Sequence, residues 1–359
     1  MSALRGPTPT PRDLGFRMPA EWEPQEAVWF VWPRDPLTWP DRVEKARGTF
    51  LNAMKAVTPH QRVDLVVHTD LAREAKAAVA AAGIKNVMVH PLDHQDSWIR
   101  DYGPIYLVRR GSGGTRERMA VKWDFNAWGN KYESLLKDKG VVGQLGKHVA
   151  APLQHVDMVL EGGSIDVDGQ GTLLTTEQCL LNKNRNPTLT RQQVEEHLRN
   201  YVGVEKILWL GDGIEGDDTD GHVDDITRFV APGLVATCVE EDRGHANHAP
   251  LADNLQRLRN MTDARGRPLR IVELPMPSDI ASDDGKPLPA SHGNFLITNG
   301  AVLLPAFGGP SDDVAQRRLQ QCFKDRPVVK LDCSDLVWGM GAIHCLSQQM
   351  PAGKAARLG

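Results

Sequence analysis

Cys345 follows the run Trp338-Gly-Met-Gly341 and sits beside His344. Small residues next to a cysteine leave a path by which a substrate reaches the sulfur, and a thiolate there is a nucleophile. The same spacing also suits a buried structural cysteine, the commoner kind. Cys179, Cys238 and Cys322 lie among apolar residues at strand or helix spacing, which favours the structural reading for them. His222 and Asp224 stand two positions apart. On an extended segment both point to one face, where an imidazole acid/base and a carboxylate meet the same substrate. Asp217, Asp218 and Asp220 make that loop strongly acidic, and a solvated aspartate turn with a surface histidine is the alternative. In Asp96-Ser-Trp-Ile-Arg-Asp-Tyr-Gly-Pro104, Arg100 is a cation between Asp96 and Asp101, either part of a site or a loop brace. Glu161 precedes two glycines, so its carboxylate meets open backbone as a ligand group or a turn residue.

A thiol, a histidine and several carboxylates without a Ser-His-Asp signature suggest a cysteine enzyme acting on a cation. Carboxylates near a thiolate raise its pKa and oppose the nucleophile, unless the bound substrate carries a permanent positive charge. A guanidinium meets that need, being planar, always charged and matched bidentately by carboxylates. A metal centre ranks low: neither a His-x-x-x-His pair nor an EF-hand loop occurs.

The rest of the chain sets limits. With 359 residues it can bury a large core, and 42 basic against 46 acidic residues, with no long basic run, give no electrostatic basis for nucleic acid. No apolar run approaches the roughly 18 residues of a membrane helix. Residues 1–16 are polar and proline-rich, so a flexible start and a cytoplasmic location are expected. Five scattered cysteines without a Cys-x-x-Cys pair read as reduced thiols.

Helices and short strands alternate along the chain. Val43, Ala46, Phe50, Met54 and Val57 have helical spacing within 41–57, and Val63 to Val67 reads as a buried strand. Thr190 and Gln193 have capping-box spacing ahead of a helix closed by Gly203, with a strand at Ile207 to Leu210. Ser311 is the candidate cap of a helix through Ala315, Leu319, Cys322 and Phe323, followed by a strand at Val328 to Leu331. Further strands are expected around Leu173, Val235, Ile297 and Leu303, and loops at 111–115 and 279–289. This is an α/β or α+β pattern, with no Gly-x-Gly-x-x-Gly or phosphate loop, no visible repeat and no linker, so one continuous domain over 1–359 is expected.

Ordered motifs then resemble a known family. They are Met18-Pro-Ala-Glu-Trp-Glu-Pro-Gln-Glu26 with Trp32-Pro33, Trp98-Ile-Arg-Asp-Tyr-Gly-Pro104, Phe125-Asn-Ala-Trp-Gly129, Glu161-Gly-Gly-Ser164 and Asn182-Lys-Asn-Arg-Asn-Pro187. They continue with Asp220-Gly-His-Val-Asp224, Pro289-Ala-Ser291 with Asn294-Phe295, and Ile343-His-Cys345 with Gln348-Gln349. Nearly end to end, the chain resembles the agmatine deiminases among the guanidine-modifying hydrolases. That resemblance implies a five-bladed, pseudo-fivefold α/β propeller of ββαβ modules around a central funnel. It implies Cys345 as nucleophile, His222 as acid/base, Asp101 and Asp224 as the guanidinium clamp, and Glu161 lining the pocket. Asp96, Asp220 and Trp98 become candidate partners for the distal ammonium of agmatine. The implied reaction converts agmatine to N-carbamoylputrescine and ammonia, in putrescine formation, with no metal or organic cofactor; relatives are often homo-oligomers. The rivals are a deiminase of another guanidino substrate such as a peptide arginine, a silent polyamine-binding propeller, and a metallohydrolase. Met340, His292 and Asp166 depart from the usual family pattern and put the far end of the substrate in question.

Overall fold

The computed structural model describes residues 9–358. Its strands fall into five separate sheets, and a shared pattern runs through them: an antiparallel pair, then a helical crossover to a parallel strand. Thr172–Thr176 pairs antiparallel with Asp166–Val167 and, across the helix Arg191–Val202, parallel with Lys206–Leu210. Leu234–Val239 does the same with Thr227–Ala231 and Arg270–Pro275 around the helix His248–Arg259. Val302–Ala306 repeats it with Leu296–Ile297 and Val328–Asp332 around the helix Pro310–Gln320. Arg116–Asp124 pairs antiparallel with Ile105–Arg110 and parallel with Leu153–Val159, with short helical turns between 133 and 149 as the crossover.

The remaining sheet is closed by chain segments far apart in sequence. Gln25–Val31 pairs parallel with Arg62–Val67 across the helix Val43–Val57, and antiparallel with Ser347–Pro351 from the other end of the chain. Parallel strands covered by helices are buried on both faces and read as continuous apolar runs; Ala27 to Trp32 is such a run, and it is fully buried.

Local chemistry explains the element ends. Thr190 accepts from the Gln193 amide while the Gln193 side chain reaches back, the full capping box, and Gly203 closes that helix at φ +74. The helix expected to be capped by Ser311 instead starts from Gly309 with Pro310 in its first turn, where a missing N–H costs nothing. Of the N-terminal stretch expected to be flexible, residues 1–8 lie outside the described residues. Residues 9–16 form a turn in which Asp13 accepts from Thr10, and Phe16 is buried beside Val108 and Gly203. No helix among the described residues is long and apolar enough to cross a membrane.

Candidate active site

The expected residues converge from four sheets' connecting loops. Asp101 lies on the single helical turn Ile99–Tyr102, Glu161 caps the tight turn Gly162–Ser164, and His222 and Asp224 sit on the turn Val223–Asp225. That last segment is a 3₁₀ turn and not the extended segment anticipated, yet it still brings the two side chains together: His222 Nδ1 is 4.0 Å from Asp224 Oδ1 and 3.8 Å from Asp101 Oδ1. His222 is fully buried, so it is no surface histidine on a solvated turn. Cys345 Sγ is 3.7 Å from Asp224 Oδ2 and accepts from Asn294 Nδ2 at 2.9 Å.

Gly163 explains why two glycines follow Glu161. A Cβ on it would stand 2.5 Å from His222 Nδ1, 3.0 Å from Asp101 Oδ1 and 3.1 Å from Asp224 Oδ1. A Cβ on Gly162 would meet the Arg100 carbonyl at 2.2 Å. The bare backbone thus borders the point where three functional groups meet, and the Gly163 amide donates to Asp101 Oδ1 at 2.9 Å. Asp101 Oδ2 accepts from Trp128 Nε1 at 2.9 Å. By contrast Asp224 Oδ1 and both ring nitrogens of His222 are buried without a hydrogen-bond partner. Buried polar atoms without partners are costly, and their clustering marks a place built for a polar ligand.

A cavity of about 180 Å³ opens onto this cluster. Buried Cys345 lies at its deep end and the 84% exposed Leu37 at its mouth. Trp98, Trp128 and Trp338 line it, with Asp35, Asp96, Asp101 and Asp218 supplying carboxylates, a lining suited to a slender cation with an apolar middle. Trp98 stacks on Trp39 with ring centres 5.8 Å apart and donates its indole N–H to Asp96. Asp96 also accepts from Thr38 and from the Ser97 amide, so its main work is to hold the tryptophan wall. Arg100 does not brace Asp96 or Asp101. It donates to the His344 carbonyl, Gln348 and Gln349, and its guanidinium lies 3.8 Å from Glu21.

Two further placements differ from expectation. Asp220 is already paired with Lys131 Nζ at 2.8 Å and Arg185 Nη1 at 2.7 Å and does not line the cavity; Asp218 does. Glu161 holds Arg185 through Oε1 at 2.6 Å and leaves Oε2 buried and unpaired. Of the three departures from the family pattern, only Met340 reaches the cavity. His292 bonds the Pro275 carbonyl and Asp312, and Asp166 meets Arg228 and the Phe229 amide.

Several contributors had no assigned role in the sequence reading. His344 Nδ1 meets Asp224 Oδ2 at 2.6 Å and its Nε2 meets Glu21 Oε2 at 2.8 Å. Asn294 bridges the thiol, Asp225 and the His344 amide. Glu21 and Asn294 both fall inside quoted motif runs, the one signal that pointed at them. Cys179, read as a structural cysteine, comes within 4.8 Å of His222 and Glu161.

The charge balance is unusual for a cysteine site. Burial pushes the Cys345 thiol well above its ordinary pKa, and Asp224, Asp225 and Asp101 push the same way. Burial opposes charge on His222, but Asp101, Cys179 and Asp224 outweigh it and hold the imidazole protonated well above its usual range. Burial raises Asp101 to about 6. Burial also opposes the charge on Asp224, where His344 prevails and keeps the carboxylate below its ordinary value. The resting pocket therefore holds a neutral thiol facing ionised carboxylates, a field that a cation reverses.

The Porphyromonas-type peptidyl-arginine deiminase family matches residues 17–351. The chain belongs to that family. Agmatine deiminase of Stutzerimonas stutzeri is 37% identical over 96% of this chain and 98% of its own. Among solved structures, agmatine deiminase of Enterococcus faecalis superposes with a TM-score of 0.89 at 36% identity, covering 97% of this chain and 99% of that one. A Cys-to-Ser variant of C. jejuni agmatine deiminase with substrate bound gives 0.85 at 31% identity, over 94% and 97% of the two chains. The mixed α/β fold is that of these deiminases.

Proposed function

We propose that this protein is an agmatine deiminase, hydrolysing the C–N bond of a guanidinium through a covalent intermediate on Cys345. The observation that carries the reading is the unsatisfied cluster behind the Asp101 and Cys345 wall of the cavity: Asp224 Oδ1 and the His222 nitrogens without partners, with Asp101 beside them and a thiol 3.7 Å from Asp224. Asp101 and Asp224 hold the guanidinium nitrogens, and the incoming positive charge offsets the repulsion that keeps Cys345 a thiol. The thiol releases its proton to solvent as the cation binds, and the thiolate so formed attacks the guanidinium carbon to give a tetrahedral adduct. His222, held protonated by its neighbours, gives its proton to the departing ammonia. Neutral His222 then takes a proton from water attacking the thiouronium, and collapse returns the thiol and a ureido product, N-carbamoylputrescine from agmatine. The scheme uses no metal or organic cofactor.

The walls support the choice of substrate. Trp98 and Trp128 flank an alkyl chain, and Asp218 and Asp35 receive a distal ammonium, replacing Asp220, whose charge Lys131 and Arg185 already meet. The five sheets, each with an antiparallel pair and a parallel strand, support the reading of five propeller blades around this funnel. Five free thiols suit a reducing cytoplasm.

The test is ammonia release from agmatine, arginine and a capped arginyl peptide in parallel, with chelator present and a Cys345→Ala control. Turnover confined to agmatine and lost in Cys345→Ala is the expected result. Turnover that survives the substitution sinks the thiol scheme, and preference for the peptide moves the substrate to the protein-bound arginine class.

A further inference from the structure

Between Trp338 and Ala342 the chain reads Gly339, Met340, Gly341, and only the middle residue has a side chain to project. A Cβ on Gly339 would stand 2.7 Å from the Trp39 ring and one on Gly341 would stand 2.8 Å from the Trp98 ring, so both glycines press against the tryptophan wall. Met340 closes the turn Leu336–Gly339, its amide donating to the Val337 carbonyl at 2.9 Å, and it does so at φ +73 and ψ +29. That left-handed conformation suits glycine and is disfavoured for a residue with a Cβ. A methionine held there against its backbone preference points to work done by its side chain.

The side chain stands at a boundary. Met340 lines the inner cavity that ends at Cys345, and it also lines a wider groove of about 600 Å³ outside it, walled by Pro40, Asp283, Lys286, Pro287 and Leu288. Among the described residues, four border both spaces: Leu37, Thr38, Trp338 and Met340. Thr38 is committed to Asp96, to which it donates at 2.6 Å, and Trp338 is held by the Arg42 guanidinium 3.9 Å over its ring. Leu37 stands out into solvent. Met340 packs against the cluster of Leu288, Ala290 and Val337, so its flexible thioether arm joins the wall of the inner cavity to Leu288 on the groove.

We infer that Met340 is a specificity-determining residue: its side chain partitions the inner cavity from the outer groove and restricts the reaction to guanidino substrates whose chain ends in an unsubstituted ammonium inside the inner cavity. The inference rests on the deiminase reading and adds a limit at the substrate's distal end. Asp35 and Asp218 attract an ammonium whether or not its nitrogen carries an alkyl group, so charge alone does not separate a primary amine from its N-alkyl derivative. A side chain across the exit does separate them. The added alkyl group has to occupy the place of the methionine, and forcing extra methylenes into a packed wall costs more than their contacts return. With the partition removed, the apolar surface of Pro40, Pro287 and Leu288 gives the longer chain a place to lie.

The experiment measures kcat and KM for agmatine, and for agmatine carrying a propyl group on its amine nitrogen, which keeps the positive charge, in the unaltered protein and in Met340→Gly, Met340→Ala and Met340→Leu. The unaltered protein is expected to favour agmatine by about 100-fold in kcat/KM. In Met340→Gly that preference should fall to within about fivefold, mainly through KM for the propyl compound, with kcat for agmatine changed by less than about twofold. Its unfolding midpoint should stay near the original, since glycine suits the conformation. Met340→Ala, which shortens the side chain and keeps the Cβ, should move the preference the same way, and Met340→Leu, of similar bulk, should keep it. Full preference retained in the folded glycine and alanine variants overturns the inference, as does a leucine variant as permissive as they are, or an unaltered protein that takes both compounds equally. No turnover of either compound by the unaltered protein overturns the deiminase reading and the inference together, whereas turnover of agmatine with a preference that truncation does not move overturns the inference alone.

Discussion

At the scale of single residues, this pocket separates the groups that are finished from those that wait. Asp101 and Asp96 have partners on both oxygens, whereas Asp224 Oδ1 and the His222 nitrogens have none. The clamp requires ionised carboxylates, and Asp101 titrates at about 6 because burial disfavours its charge. Since the charged form is the working one, kcat/KM for agmatine should fall as pH drops through about 6, read as the acid limb of the profile. Asp101→Asn should remove that limb and lower kcat/KM by about 100-fold, in the range lost when one preorganised charge partner is deleted. Residue-scale reading of the sequence singled out Cys345, His222, Asp101 and Asp224 as candidates because each stood in a short, polar, glycine-flanked run. It gave Asp220 a part that Asp218 is better placed to take, because two aspartates in one loop are alike in sequence and only the fold places Lys131 and Arg185 against one of them. Cys179 reads as a structural cysteine in the sequence for a related reason. Its apolar neighbours describe the core it sits in, and the loop that brings His222 alongside is distant along the chain.

At the scale of elements, short turns do the positioning and the long helices brace the sheets. Gly163→Ala places a methyl group beside His222 Nδ1, so it should cost about 100-fold in kcat/KM while circular dichroism and the unfolding midpoint stay near the original. Thr190→Ala is the opposite case. It removes an exposed capping box far from the cavity and should cost about 1 kcal/mol in denaturant unfolding with kcat unchanged. The helices and crossover strands were legible because helical spacing, caps and apolar runs are local signals: Val43–Val57, Arg191–Val202 and Lys206–Leu210 lie within a residue or two of expectation. The turn under His222 and Asp224 was not, since alternate spacing is common to an extended segment and to a tight turn, and tertiary contact chooses between them.

At the scale of the whole molecule, Glu21 ties the first sheet's approach to the His344–Cys345 segment. It meets Arg228 at 2.9 Å, His344 at 2.8 Å and Arg100 at 3.8 Å, and accepts from the Ile297 amide at 2.6 Å. Burial works against its charge, yet Arg228, His344 and Arg100 hold the carboxyl well below its ordinary value. A depressed carboxyl contributes stability that is full above its unfolded value and lost as pH falls through the folded one. Glu21→Gln should therefore destabilise the neutral-pH protein by about 3 kcal/mol, leaving buried cations short of a partner, and should flatten the acid end of the stability profile. Chemical denaturation from pH 7 to pH 3 reads both effects. The five-sheet arrangement itself had no local sign, because its recurrence lies in strand pairing and not in residue identity.

The closing strand Ser347–Pro351 carries a consequence for how the protein comes into being. It completes the sheet begun by Gln25–Val31, and Cys345 lies two residues before it. A ribosome thus releases the proposed nucleophile after every wall of the pocket and in the same short segment that seals the first sheet. A nascent or C-terminally shortened chain has neither a reactive sulfur nor a finished first sheet, so assembly and chemical competence arrive together, and an incomplete copy is both inert and exposed to proteases at the unpaired edge of its first strand.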